Sequence, residues 1–415
     1  MQITTHDKPT KTYWTLFKLA EELLSTCEKH NIVVWAEFGS LIGLQRHAGL
    51  IPWDYDGDFG MFVSDKNKFL KALTAEKSDD IIIDIDYYHD DGCLALRLAD
   101  NSIDVVDLIF YDDTETGVDS VQNDKTKADY PSNDGYCYKL DDFYPLKKTL
   151  FLGHQVRVPN NIDNALKVHY TNWREIPSQF ENYITSKYLQ WAIKPILVCQ
   201  ANNFAHLKEL VEKLDCPMIL RKTAFLDCPI DKYAAMIENQ KTEIFGYDSS
   251  ITWTTSQTNA KQIWHKYITN NLKFNIIDSP TDDKSLLLTE WNEYVKNKLA
   301  DNYQFALTWV LTNSPKTTHF HIDPGFAGGF MKLLQGEKIW WCIKPTDYQY
   351  LLNKGHTVKT LTKMPMHQII QLEDNYLFGK IYADVIKDHD LIWFPINTLH
   401  KVITINNSYG FGGYL

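Results

Sequence analysis

Between Ile51 and Phe59 the chain reads Ile-Pro-Trp-Asp-Tyr-Asp-Gly-Asp-Phe, which sets Asp54, Asp56 and Asp58 at alternate positions. In an extended segment side chains repeat every second residue, so the three carboxylates share one face. Neighbours on such a face stand about 7 Å apart at Cα, and carboxylates that lean together to about 5 Å repel by roughly 3 kcal/mol per pair at an effective dielectric of roughly 20. A bound divalent cation turns that repulsion into a binding site. Mg²⁺ or Mn²⁺ suits it, because such ions take oxygen ligands and arrive with the phosphates of a substrate. A solvated acidic turn would have no use for the flanking Trp53 and Phe59.

Upstream, a predicted strand from Ile32 to Phe38 gives way at Gly39-Ser40 to the apolar stretch Leu41 to Leu44. A small turn that opens a helix presents backbone N–H groups to a phosphate. Gly-Ser alone says little. Followed by Arg46, His47 and Pro-Trp-Asp-x-Asp-x-Asp, it resembles the LicD/fukutin-related phosphotransferases, which have a nucleotidyltransferase fold.

Further on, Ser102 to Tyr111 reads as a strand with two internal carboxylates, Asp104 and Asp107. An aspartate among apolar neighbours calls for a cation nearby, since an unpaired buried charge is costly. In the LicD-like pattern a hydrophobic-Asp-hydrophobic strand supplies a third carboxylate. Asp107 matches that position best, and Asp104 is the alternative. The resemblance extends through Phe143 to Lys148, Gly153, Val158 to Asn161 and Leu166 to Trp173, taken as a closing hairpin and final helix. It covers roughly residues 30 to 178. The text from Asp112 to Asp134 reads as a loop insertion over the site.

At 415 residues the chain is too long for one ordinary core. Its net charge of −11 argues against a general nucleic-acid partner or an anionic membrane surface. Seven cysteines without a Cys-x-x-Cys argue against a disulfide framework or a zinc ribbon. No apolar run reaches the length of a membrane span and the N-terminus lacks a signal-peptide core, so the expected home is cytoplasmic. Tyr13 to His30 has helical apolar spacing and reads as a packing helix. From Ser178 the character of the chain changes. The expected domains are residues 1–184 and 185–415.

The second half holds another constellation, Thr317-Thr318-His319-Phe320-His321-Ile322-Asp323-Pro324. His-x-Asp on a strand supplies two-thirds of the two-His, one-carboxylate triad that holds Fe²⁺ with open positions. Taken with Gln335-Gly336-Glu337-Lys338 and with Leu391 to Pro395 followed by His400, it resembles the JmjC/cupin-type 2-oxoglutarate oxygenases. The resemblance implies that His321, Asp323 and His400 ligate iron and that Lys338 and Thr318 bind the distal carboxylate of 2-oxoglutarate. Met331 departs from the pattern, standing where related enzymes often carry an asparagine. The glycine-rich close from Tyr409 to Leu415 also departs from it. His319, Met331 and His389 read as structural.

The expected fold class is therefore an α+β nucleotidyltransferase-like domain followed by a double-stranded β-helix of the jelly-roll, cupin/JmjC-like kind with flanking helices. The resemblances imply a Mg²⁺- or Mn²⁺-dependent transferase. It would move a phospho-alcohol, of the phosphocholine or pentitol phosphate type, from a CDP-linked donor to a glycan-like acceptor. Asp56 and Asp58 would bind metal, with Asp54 assisting. Asp107 would complete the shell or take the acceptor's proton. Gly39, Ser40 and Arg46 would face the donor phosphates. They also imply a second activity, Fe²⁺/2-oxoglutarate-dependent hydroxylation of a protein or glycan. Two alternatives stand beside this: an oxygenase with an N-terminal binding module, or a transferase with a non-catalytic docking barrel.

Overall fold

The computed structural model describes residues 11–47, 49–51, 53–85, 92–100, 104–121, 137–167, 169–170, 172–175, 193–238, 243–247, 253–257, 264–265, 268–269, 275–281, 283–312 and 316–415. The chain divides into two compact units. One comprises Met1–Ile193 with Pro365–Gly379, the other Lys194–Met364 with Lys380–Leu415. The boundary expected near residue 185 lies outside the described residues, as does the 122–134 part of the expected insertion.

The first unit is built on a nine-stranded sheet: β1 (Val34–Ala36), β2 (Asp56–Phe62), β3 (Ile81–Asp84), β4 (Cys93–Leu98), β5 (Val105–Asp113), β6 (Gly117–Ser120), β7 (Cys137–Lys139), β8 (Lys147–Phe151) and β9 (His154–Val158). The main path runs β3-β4-β5-β2-β1-β9-β8, with β6 and β7 branching from β5. β2 and β5 are parallel neighbours at its centre. On β2, Phe59 and Met61 are buried, while Asp56 and Asp58 take the other face, as period-2 alternation requires. Position 60 on the aspartate face has to be glycine, because a Cβ there would lie 2.2 Å from the Trp35 ring of β1.

Helix α1 (Lys11–Lys29) buries Leu16, Phe17, Leu23, Leu24 and Cys27, which fits its predicted packing role. It also packs against the 365–379 segment. Glu21 accepts hydrogen bonds from the backbone N–H of Met366 (2.6 Å) and of His367 (3.0 Å), and lies 2.8 Å from His367 Nδ1. Tyr13 and Trp14 meet the Phe378 ring edge-on. Three sequence expectations need correcting. The predicted 32–38 strand is only Val34–Ala36, because helix α2 (Phe38–His47) already begins at Phe38. The closing helix is Ile162–Lys167, earlier than the expected 166–173. Gly117–Ser120, expected to be loop, pairs with β5 as a strand.

The second unit carries a twelve-stranded mixed sheet, nearly barrel-like: β10 (Ile193–Pro195), β11 (Leu197–Cys199), β12 (Met218–Leu220), β13 (Glu243–Tyr247), β14 (Trp253–Gln257), β15 (Asn275–Pro280), β16 (Thr308–Thr312), β17 (Lys316–His321), β18 (Gly329–Ile343), β19 (Ile381–Ile386), β20 (Leu391–Phe394) and β21 (Leu399–Tyr414). The long strands β18 and β21 run antiparallel along their whole length, with register shifts between Leu333 and Lys338. Such bulges sharpen the local twist and let a long ribbon curl. Gly336 sits at this point with φ +109°, a conformation suited to glycine. β17 lies against β21 and places His321 opposite His400. No helix among the described residues is long and apolar enough to cross a membrane.

Candidate metal centres

In the first unit, parallel pairing sets Asp58 opposite Asp107 and Asp56 opposite Val105. The carboxylate oxygens of Asp56, Asp58 and Asp107 all lie within 4.8 Å of one another, as a shared ion requires. Burial, followed by the charges of Asp56 and Asp107, drives the Asp58 carboxyl well above its ordinary range. The ionised cluster therefore costs energy that a proton or a bound cation would relieve. Asp54 falls in the loop before β2, outside this group. Burial and the neighbouring Asp56 push its carboxyl up to about 7.

Helix α2 aims its first turn at the cluster. The Gly39 N–H donates to Asp58 Oδ2 at 2.9 Å, and the Asp58 N–H donates to Ser40 Oγ at 3.0 Å. A side chain at position 39 would bring its Cβ to 3.0 Å from Asp58 Oδ2 and 3.1 Å from Asp54 Oδ2, so the helix end approaches this closely only through glycine. Ser40 is buried and orients β2, while Gly39 lines the cleft beside the aspartates. Asp104, the alternative to Asp107, precedes β5 and is outside the cluster.

The cleft measures about 750 Å³ and includes Asp54, Asp56, Asp58, Arg46, Trp53 and Tyr170 in its walls. Arg46 is fixed by donating to the Glu175 carbonyl at 2.8 Å, with its guanidinium carbon 6.0 Å from the Trp53 ring centre. Tyr170 was not foreseen as a site residue. Burial and then the charges of Asp58, Asp54 and Asp56 raise its phenol above the ordinary range, so its hydroxyl faces the same field. Tyr170 falls within the 166–173 stretch expected to be the final helix, so no separate signal marked it.

Beneath this site Glu37 is buried, and its N–H donates to the Asp58 carbonyl at 3.1 Å. Its carboxyl accepts from Trp35 Nε1 at 2.7 Å and from the Tyr138 hydroxyl. Burial pushes it up to about 8.

In the second unit the ligand atoms of His321, Asp323 and His400 likewise lie within 4.8 Å of one another. Nε2 of His321 and of His400 stand 3.6 Å and 3.8 Å from the same Asp323 oxygen. Each imidazole meets a backbone carbonyl through Nδ1: His321 with His319 at 2.7 Å, His400 with Thr398 at 3.1 Å. A carbonyl only accepts, so Nδ1 carries the proton and the Nε2 lone pair is left for a metal. Burial, then His321, holds His400 down to about 4, which keeps it neutral. This donor set fits a divalent transition metal with positions left open.

The triad opens onto a cavity of about 60 Å³ that Thr318, Met331, Lys338 and Trp340 help to line. Lys338 is buried and donates to Thr312 Oγ1 at 2.9 Å; burial lowers its ammonium to about 7. Met331, read as structural from the sequence, is a cavity wall. His319 serves through its carbonyl, and His389 pairs with Asp227 at 2.9 Å, away from the triad.

Residues 31–161 match the family model described as LicD/FKTN/FKRP, nucleotidyltransferase domain. An uncharacterized protein of Rickettsia typhi is 27% identical over 213 residues, 49% of this chain and 63% of that protein. Ribitol 5-phosphate transferase FKRP of Homo sapiens is 40% identical over 50 residues, 12% of this chain and 10% of that protein. Over the C-terminal region, lysine-specific demethylase 7A of Homo sapiens is 30% identical over 100 residues, 23% of this chain and 10% of that protein. The chain thus spans less than two thirds of the length of these curated relatives. The N-terminal half resembles the LicD/fukutin-related phosphotransferases and the C-terminal half resembles the JmjC proteins.

Proposed function

We propose that the first unit transfers a phospho-alcohol, of the phosphocholine or pentitol phosphate type, from a CDP-linked donor to a hydroxyl of a glycan-like acceptor. The observation that carries this reading is the pairing of Asp58 with Asp107 beside Asp56, in a cleft wide enough for a nucleotide-linked donor. The family match and the name ribitol 5-phosphate transferase on one relative support it. Mg²⁺ or Mn²⁺, when bound, would neutralise the donor phosphates during transfer. Asp56, Asp58 and Asp107 would hold the ion. Asp54 would assist from the cleft wall, with Asp107 completing the shell or taking the acceptor's proton. Arg46 would meet charge on the donor, and Gly39 would let the phosphates approach the helix end.

We infer that the second unit binds Fe²⁺ and 2-oxoglutarate and hydroxylates a protein or glycan, its sheet being a double-stranded β-helix of the jelly-roll, cupin kind. Similarity to a lysine-specific demethylase and the two imidazoles facing one Asp323 oxygen support this. The iron, when bound, would supply oxygen activation. His321, Asp323 and His400 would hold it, while Lys338 and Thr318 would receive the distal carboxylate. A second reading makes this unit a docking module; the apolar Met331 wall favours it.

One experiment tests both halves. A glycan and peptide pool is incubated with CDP-alcohols, Mg²⁺, Fe²⁺ and 2-oxoglutarate, and products are weighed by mass spectrometry. Added phosphate-ester mass that is lost with Asp56→Ala supports the transferase. Added oxygen mass lost with His321→Ala supports the oxygenase. Its absence, with Fe²⁺ and 2-oxoglutarate spectra identical in wild type and His321→Ala, favours docking.

A further inference from the structure

We propose that the indole N–H of Trp340 is a positioning donor for the anion held beside the His321, Asp323 and His400 triad, hydrogen-bonding one of its oxygens. This deepens the oxygenase reading and rests on it. Trp340 lies on β18 two residues from Lys338, and alternation puts both side chains on one face. Both line the triad cavity. The indole ring stacks on His400 with centroids 5.4 Å apart at 22°, and lies 5.5 Å from Phe394. Two aromatic neighbours therefore fix the ring next to a metal-facing imidazole.

Trp340 is 6% exposed, yet its Nε1 is buried without an acceptor among the described residues. A buried donor left unmade is costly, and a site gains specificity when the ligand completes such a bond. Trp291 and Trp393 also keep buried indoles without acceptors, but they belong to a different core cluster and do not line this cavity. Met331, in the same cluster as Trp340, offers the ligand no strong hydrogen bond. The cavity's side-chain donors include Lys338 Nζ, the Thr318 hydroxyl and the Trp340 N–H. That set suits a ligand with several carboxylate or keto oxygens, of which 2-oxoglutarate is the probe.

The test uses the full chain under anaerobic conditions. Fe²⁺ is titrated first and 2-oxoglutarate second, for wild type and Trp340→Phe, and the indole ¹⁵N–¹H resonances of ¹⁵N-labelled Zn²⁺-loaded protein are followed as 2-oxoglutarate is added. The expected result is an unchanged Fe²⁺ Kd, about a tenfold weaker 2-oxoglutarate Kd in Trp340→Phe, and a downfield shift of the one indole resonance missing from that variant. Equal 2-oxoglutarate affinity with an unmoved Trp340 resonance overturns the proposal while leaving the oxygenase reading standing. A wild type that takes Fe²⁺ but no 2-oxoglutarate overturns both.

Discussion

Asp58 of β2 and Asp107 of β5 face each other across a parallel strand pair, and the Gly39 N–H at the start of helix α2 donates to the Asp58 carboxylate. Two acids in register on adjacent strands are unfavourable in a fold that leaves them unneutralised. One helix-end N–H carries only a partial positive charge. A proton or a cation would relieve the repulsion, and the energetics can be measured with metal and without it.

Asp58→Asn is expected to act in opposite directions on stability and on metal binding. In EDTA it removes a repelled carboxylate and raises stability by about 1–2 kcal/mol, while the amide oxygen keeps the bond from Gly39. With metal present it weakens Mn²⁺ affinity by about 100-fold or more. Urea denaturation with and without Mn²⁺ reads both effects, and destabilisation in EDTA would count against a repelled carboxylate.

Glu37 gives a pH signature. Its folded carboxyl is raised from 4.5 to about 8 by burial, so the folded state binds the extra proton. Its stabilising contribution is complete below the unfolded value and is lost as pH rises through about 8, at up to about 1.4 kcal/mol per pH unit. Glu37→Gln should lack this slope between pH 5 and 8. Denaturant midpoints of the two proteins should therefore diverge with pH, and parallel curves would contradict the protonated state.

Lys338→Met is expected to stabilise the ligand-free chain by about 1–2 kcal/mol, because a buried ammonium that donates to the neutral Thr312 hydroxyl is costly. It should also weaken 2-oxoglutarate binding by about 100-fold. Thermal melting and an anaerobic 2-oxoglutarate titration check the two effects separately.

The segment Pro365–Gly379 belongs to the first unit although it lies far along the chain. Glu21→Ala strands the N–H groups of Met366 and His367 and should cost about 2–4 kcal/mol. Hydrogen exchange should quicken across residues 366–375 more than in helix α2. A chain ending at residue 193 should melt earlier than the full chain's first unit.

Much of both centres could be read from the sequence because each rests on local spacing. Asp56 and Asp58 share a face by strand alternation, whereas β17 ends at His321 and Asp323 joins it from the loop just beyond. Asp107 and His400 came from the resemblances to the LicD-like and JmjC-like patterns, which the strands around them match. What escaped were relationships set by tertiary packing. Asp54 follows the same alternation in the sequence, but the strand begins only at Asp56. Ser40, expected to face the donor phosphates, is buried with its oxygen accepting from the Asp58 N–H. Nothing local in the sequence says that the Tyr170 and Trp340 rings will line a cavity. The return of residues 365–379 to helix α1 depends on Glu21, hundreds of residues away, and carries no sequence period at all.

The geometry offers two independent cation sites, one of three aspartates and one of two histidines and an aspartate. The direct measurement is an anaerobic metal titration of EDTA-treated full chain with Mn²⁺ and with Fe²⁺, on wild type, Asp58→Asn and His321→Ala. The account predicts that Asp58→Asn loses one site and keeps the other, and that His321→Ala does the reverse. Wild-type stoichiometry and affinity in both variants would contradict it.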